Sequence, residues 1–347
     1  MKRVLKILLR IFFIFILIFI SIFAIRWINF YRYQDYMLPE EESIYDDPTD
    51  FSLYDTDIDG VDVEIIEEDL LNGFHLVPDN ISTEGVIVTF GGSDGSSNYD
   101  LAKMLAEEGY EVYSLFFFGP GKLPDELIEV PLELFDDFLA YHLENSQSNG
   151  PITVLGASKG AELTLNLASN YDEIDNIILY APSAYSFFSL DQRNTDQSSW
   201  IYKEQPLPYL SSRNGNLWET VKMIGGFILY YPVKYNPVYE AVLDGSSETD
   251  LEAARIKVEN FAGEGLIFVG GDDLMWPAES MTNVIKEYND QMEVHLYPEA
   301  GHLFIMNRYM GTPDALIAFG GNENTNNEAF EDSNAILFER LAEWHTP

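Results

Sequence analysis

The stretch Thr153-Val-Leu-Gly-Ala-Ser-Lys-Gly160 constrains this chain more than any other. It reads as a short buried strand, a tight turn carrying one serine, and the start of a helix. Ser158 at the apex needs a backbone conformation that few side chains tolerate. Gly156 and Gly160, two residues to either side, let strand and helix pass without collision. Pro151-Ile-Thr-Val-Leu155 supplies the strand, and Leu163, Leu167 and Ala168 recur with helical spacing after the turn. Such a turn lifts the Ser158 hydroxyl above a sheet. It also points the backbone N–H of Lys159 at any oxyanion that forms there.

The flanking sequence supplies a sheet for that turn. Residues 61–77 hold two alternating runs that predict an antiparallel edge hairpin. Residues 85–90 (GVIVTF) are apolar throughout, as a central parallel strand should be. Strands are then expected at 111–116, 152–155, 176–181, 265–270 and 293–297. Helices are expected from about 99, over 131–145 and 277–288, and as a closing helix over 334–344. Residues 322–327 read as a short polar loop. Residues 183–262 break the alternation with many Tyr, Trp and Pro. They predict a cap insertion above the site, or extra helices packed on one side. The pattern as a whole predicts an α/β-hydrolase fold, a mostly parallel sheet with helices on both faces.

A serine hydroxyl is a weak nucleophile without a base, and the base needs an acid to hold its tautomer. In this fold the chain order is Ser, acid, His. Of five histidines, His75 and His142 precede the elbow, His295 lies within a strand, and His345 is nearly terminal. His302, in Pro298-Glu-Ala-Gly-His302, follows the last strand where a base should enter. The acid follows the preceding strand, in Phe268-Val-Gly-Gly-Asp-Asp273. Asp273 is preferred for its place in the turn. Asp272 is the alternative, and either could simply cap the next helix. Gly92 or Ser93, after the 85–90 strand, should add the second oxyanion donor.

The N-terminus adds a second function. Arg10 and Arg26 bracket fifteen uncharged residues, nearly all Ile, Phe and Leu, and Trp27, Tyr31 and Tyr33 follow as an interfacial belt. The bulky Ile22-Phe23-Ala24 disfavours signal cleavage, so residues 1–33 read as an uncleaved transmembrane anchor in a lipid bilayer. Lys2, Arg3, Lys6 and Arg10 outnumber the basic residues after the span, which puts the N-terminus in the cytoplasm and the rest outside. An acidic linker over 34–60 would join the anchor to a catalytic domain over 61–347. The formal charge of −39 argues against nucleic acid as a partner. With no cysteine, disulfides, thiolate metal sites and a cysteine nucleophile are excluded. No metal or organic cofactor is called for.

The run Gly156-Ala-Ser-Lys-Gly-Ala-Glu-Leu163 resembles the C-terminal catalytic domain of the acyl-CoA thioesterase and bile acid-CoA:amino acid N-acyltransferase family. Phe90-Gly-Gly-Ser-Asp-Gly95, Val269-Gly-Gly-Asp-Asp273, Tyr297-Pro-Glu-Ala-Gly-His302 and Gly320-Gly-Asn322 match in order, over roughly residues 72–345. The resemblance implies Ser158 as nucleophile, Asp273 as acid and His302 as base. A serine, where the acyltransferase branch has cysteine, points towards hydrolysis of small-molecule acyl thioesters or esters. Lys159 and Glu162 read as an ion pair at the helix start or as substrate contacts. An exported esterase or amidase acting on cell-envelope acyl groups is the alternative. A non-catalytic anchored binding protein on a hydrolase scaffold is a third reading.

Overall fold

Strands apolar on both faces can be satisfied only in the middle of a covered sheet. The computed structural model, which describes residues 2–38, 47–81, 83–146, 148–193, 195–305 and 307–346, puts them there. Eight strands form the central sheet: β1 (Val61–Glu67), β2 (Asn72–Pro78), β3 (Val86–Phe90), β4 (Glu111–Phe116), β5 (Ile152–Ala157), β6 (Asn176–Tyr180), β7 (Glu264–Gly270) and β8 (Glu293–Tyr297). Their order is β1-β2-β4-β3-β5-β6-β7-β8. β2 is antiparallel to both β1 and β4, and every other pair is parallel. β3, β4 and β5 are buried along their whole length, and β1 at the edge buries Val61 and Ile66 and leaves most of the rest open. This is the α/β-hydrolase architecture that the alternation predicts.

The helices are α1 (Lys2–Arg32), α2 (Tyr99–Glu107), α3 (Leu134–Asn145), α4 (Lys159–Ala168), α5 (Leu217–Leu229), α6 (Asn236–Gly245), α7 (Glu248–Ala254), α8 (Ala278–Tyr288) and α9 (Glu323–Trp344). α1 is long and apolar enough to cross a membrane.

Two local expectations are corrected, and one element is unforeseen. Residues 322–327 are not a loop. The Asn322 side chain accepts from the N–H groups of Asn324 and Thr325, the Thr325 hydroxyl accepts from Asn322 N–H, and α9 starts at Glu323. The polar composition there is a helix cap followed by a first turn that exposes Glu323 and Asn324 and buries Asn326. Second, the helix expected over 131–145 starts later, because of a ribbon in the insertion. Trp200–Tyr202 and Gln205–Pro206 form a short hairpin, and Val130–Pro131 pairs beside it. That pairing holds residues 130–131 extended, so α3 begins at Leu134 and not at 131. Tyr309–Gly311 and Leu316–Ala318 make a hairpin with no forecast in the sequence.

Of the expected acidic linker, residues 39–46 lie outside the described residues. The rest is tied to the domain. Leu38 N–H donates to Gly311 O at 2.9 Å. Tyr54 is buried with its ring 4.8 Å from that of Phe74 and 5.0 Å from that of Tyr99, and its hydroxyl donates to Pro48 O. Tyr54 and Ile58 are core residues, Phe51 packs against the core, and the exposed Asp55 and Asp57 stand between Tyr54 and Ile58.

His345 closes the opposite end of the sheet from the elbow. Nδ1–H donates to Glu84 O at 2.6 Å and Nε2 accepts from the Thr153 hydroxyl at 2.8 Å. Burial pushes the His345 imidazole below its ordinary pKa, and it does the same to His142, which stacks on Phe138. Each ring therefore takes up a proton more readily in the unfolded chain, so folding loses stability as pH falls through the unfolded value near 6.5. The urea midpoint of the detergent-solubilised chain is expected to fall between pH 7.5 and 5.5, with a shallower slope in His345→Gln. Tyr54→Ala should cost about 3 kcal/mol in the same titration, as deletion of a core aromatic does. A free tether would lose less than about 0.5 kcal/mol.

Candidate active site

Ser158 sits between β5 and α4 at φ 55° and ψ −114°, outside the regions comfortable for a residue with a Cβ. Packing imposes the turn. A Cβ on Gly156 would lie 2.2 Å from Gly160 O, and one on Gly160 would lie 2.0 Å from Gly91 O. Strand, helix and the turn after β3 thus cross in backbone contact, which only glycine permits. Ser158 N–H donates to Tyr180 O at 2.9 Å, which fixes the turn to β6. The residue is 9% exposed, and its hydroxyl makes no hydrogen bond among the described residues.

Asp273 and His302 meet on the same rim. Asp273 Oδ2 lies 2.7 Å from His302 Nδ1, and the two residues are 5% and 2% exposed. The other oxygen, Oδ1, accepts from the N–H groups of Met275 and Trp276 at 2.7 and 3.1 Å. The carboxylate is thereby held as an acceptor on both sides, and Nδ1 carries the proton that bridges to it. In the neutral ring this tautomer leaves the lone pair on Nε2. Asp272 turns elsewhere, to Arg308 Nη1 at 2.7 Å and Gly321 N–H at 3.0 Å. Trp276 ties this rim to the elbow side. Its indole N–H donates to Ala181 O at 3.0 Å, and its ring lies 6.3 Å from that of His302.

The expected oxyanion donors are unequal. Lys159 N–H is the first of α4 and has no intrahelical acceptor. Gly92 lies beside the serine, since a Cβ built on it would be 3.6 Å from Ser158 Cβ. Its N–H, however, already donates to Asp94 Oδ1 at 3.1 Å. Ser93 is exposed on the same turn.

The remaining histidines are accounted for in other ways. His75 pairs with Glu111 and stacks on Tyr113, and His295 pairs with Glu293. Lys159 and Glu162 form the internal ion pair and not a substrate contact. Lys159 Nζ donates to Glu162 Oε2 at 2.9 Å and to Ser199 Oγ at 3.1 Å, while Glu162 Oε1 accepts from Trp200 Nε1 at 2.7 Å and Phe187 N–H at 3.0 Å. Both side chains are buried. Burial lowers the Lys159 pKa, and Glu162 opposes that fall.

Sequence reasoning missed Asn326 and Asn236. Asn326 Oδ1 accepts from Gly301 N–H at 2.8 Å, and its Nδ2 donates to Ile305 O and Gly320 O, so it clamps the loop that carries His302. Asn236 Nδ2 donates to Asp273 O at 2.7 Å. The Gly320-Gly321 pair was a signal for the first. Both have positive φ, and a Cβ on Gly321 would lie 1.9 Å from Asn326 Oδ1. A cleft of about 400 Å³ lined by Ile81, Thr83, Glu84 and residues 148–150 opens at the N-terminal ends of β3 and β5. No histidine lines it and it lies at the far edge from Ser158, so the rim is the better candidate.

Glu162→Gln is expected to cost about 3–5 kcal/mol, because it strands a buried ammonium. Glu162→Gln combined with Lys159→Met should recover much of that loss. Urea unfolding followed by Trp fluorescence checks both, and additive losses in the double variant would contradict the pairing.

A family model described as BAAT / Acyl-CoA thioester hydrolase C terminal matches residues 130–333, a range that contains Ser158, Asp273 and His302. Human acyl-coenzyme A thioesterase 6 is 30% identical over 234 residues, which cover 65% of this chain and 50% of that protein. Bile acid-CoA:amino acid N-acyltransferase of Mus musculus is 25% identical over 248 residues, 70% of this chain and 53% of that one. The chain spans about half the length of the curated relatives it matches. Among solved structures it is similar to an esterase of Pyrococcus furiosus, with a TM-score of 0.48 and 15% identity over 83% of this chain and 92% of that one. The match over more than half its length, joined to the elbow and the acid–histidine pair, makes this chain a member of the BAAT/acyl-CoA thioester hydrolase C-terminal family.

Proposed function

We propose that this chain is a membrane-anchored serine hydrolase that cleaves acyl thioesters or esters through Ser158, His302 and Asp273. The observation that carries the reading is the 2.7 Å contact of Asp273 with His302 Nδ1 on the rim that also bears the strained Ser158 turn. His302 Nε2 takes the Ser158 proton as Oγ attacks the carbonyl carbon. Asp273 stabilises the imidazolium that results. The N–H of Lys159 donates to the oxyanion, and Gly92 joins it once Asp94 releases its N–H. The imidazolium then protonates the leaving thiol or alcohol as the C–S or C–O bond breaks. Water, deprotonated by His302, attacks the acyl-Ser158 ester, and the free acid leaves with Ser158 reprotonated.

The named activities of the relatives support acyl-CoA as the substrate class. The basic residues of α1 ahead of its apolar run favour a second reading of the leaving group. They put the N-terminus in the cytoplasm and the catalytic domain outside it, where acyl esters of the cell envelope are the available substrates.

A fluorophosphonate probe is expected to label the wild-type chain and not Ser158→Ala. Equal labelling of the two would end the proposal. Asp273→Asn should lower kcat by about a thousandfold or more. Asp272→Asn should leave kcat within about threefold, since its partners are the half-buried Arg308 and Gly321 N–H and not His302. Protease added to intact cells is expected to degrade the domain. Protection would restore acyl-CoA as the accessible substrate.

A further inference from the structure

The end of α1 is docked on the domain through one face. Ile22, Arg26, Asn29 and Phe30, at helical spacing, are its half-buried residues there. Arg26 Nη1 donates to Phe227 O at 2.6 Å and Nη2 to Pro313 O and Asp314 O, both at 3.2 Å. Asn29 Nδ2 donates to Leu229 O at 2.9 Å, and the Phe30 ring lies 5.1 Å from that of Tyr230. Arg26 and Asn29 thus satisfy the last carbonyls of α5. Arg26 also marks the end of the long apolar run of α1. The C-terminus of α5 is therefore fixed at the level where that run meets the polar boundary.

The outer face of α5 is apolar and uncovered. Leu217, Val221, Ile224 and Ile228, spaced by four, three and four residues, are 78%, 45%, 47% and 48% exposed. Trp218 flanks them at 62% exposed, and nothing lies within 4 Å of a Cβ built on Gly225. The two charges of the helix, Glu219 and Lys222, pair with each other at 2.8 Å. A stripe of this kind on a strongly acidic chain needs a cover.

We propose that this face beds into the interface of the bilayer that α1 spans, so that the candidate site draws amphiphilic long-chain acyl substrates from the membrane. The seating rests on the reading of α1 as an anchor, and the substrate class rests on the hydrolase reading. α1 supplies continuity, because the helix beside its exit is the one with the bare apolar stripe. The chain after α5 supplies the link to the chemistry. Tyr235 N–H and Asn236 N–H donate to Leu274 O, and the Asn236 side chain holds Asp273 O. The hairpin that Arg26 touches runs on to Phe319, whose carbonyl accepts from His302 N–H at 2.8 Å. Both loops that carry the acid and the base are therefore hydrogen-bonded to segments that run on from the elements flanking the anchor.

The chain has no cysteine, so single labels are clean. Val221→Cys and Ile224→Cys, with Glu144→Cys as control, are to carry an environment-sensitive fluorophore. The full chain is reconstituted in phosphatidylcholine vesicles, and flotation is measured on every sample. Labels at 221 and 224 are expected to be quenched by brominated acyl chains and to show about fivefold weaker iodide quenching than the label at 144. Floating chains with both labels open to iodide would overturn the seating of α5 and leave the anchor intact. Failure to float would overturn the anchor and the seating together. Iodide protection without bromolipid quenching would assign the stripe to a second copy of the chain, and so against the bilayer. The Val221→Ser, Ile224→Ser, Ile228→Ser variant should lose about tenfold in turnover of a vesicle-embedded long-chain ester and none on a soluble short-chain ester. Equal effects on both esters would overturn the delivery. A wild type inactive on both would overturn delivery along with the hydrolase reading, while the labels still report the seating.

Discussion

Three stretches of backbone cross at one point, and the rest of the site is arranged around that crossing. Gly91, at the end of β3, presents its carbonyl to Gly160, and Gly156 passes under the first turn of α4. Side chains at either helix-side glycine would need to share space with carbonyl oxygens about 2 Å away. The close approach holds Ser158 in a conformation that costs on the order of 1–3 kcal/mol. A surface loop would relax out of it. Here the turn is fixed by β6 through Tyr180 and by α4 through its first hydrogen bonds, so the strain is retained where the chemistry is expected.

α4 is also the element that fastens the insertion. A lysine and a glutamate on its first turn are both withdrawn from water, which is costly unless every polar atom is matched. Trp200 and the backbone of Phe187 supply the missing donors to Glu162, and Ser199 supplies an acceptor to Lys159. Those partners belong to the segment that interrupts the strand–helix alternation. A charge pair that reads as local in sequence is, in the folded chain, the attachment of the inserted segment to the helix that follows Ser158. Asp273 and His302 have a separate support, built from Asn326, Asn236 and the Gly320-Gly321 turn.

Much of this was legible before any coordinates. β4 and β8 fall on the residues expected, and the other strands of the central sheet differ by a residue or two, because uninterrupted apolar runs have only one stable place in such a sheet. Ser158, Asp273 and His302 were reachable from their motifs and their order. Legibility failed where short-range pattern is weak. The 130–131 and 200–206 ribbon is too short for a period, and the Asn322 cap was hidden within a polar run. Tyr54 and Ile58 were masked by Asp55 and Asp57 between them.

By itself the sequence determined the period of each strand and helix, the glycines required at the elbow, an N-terminal run apolar enough for a bilayer, and which residue types could do nucleophilic chemistry. These follow from local sterics and side-chain polarity, which neighbours along the chain decide. Only the tertiary structure chose between Asp272 and Asp273 as the partner of His302, turned Lys159 and Glu162 inward, gave Gly92 N–H to Asp94, and laid the end of α1 against α5. Each of those outcomes depends on which donor and acceptor meet across gaps of many residues, and that meeting is set by how packed elements cross in space.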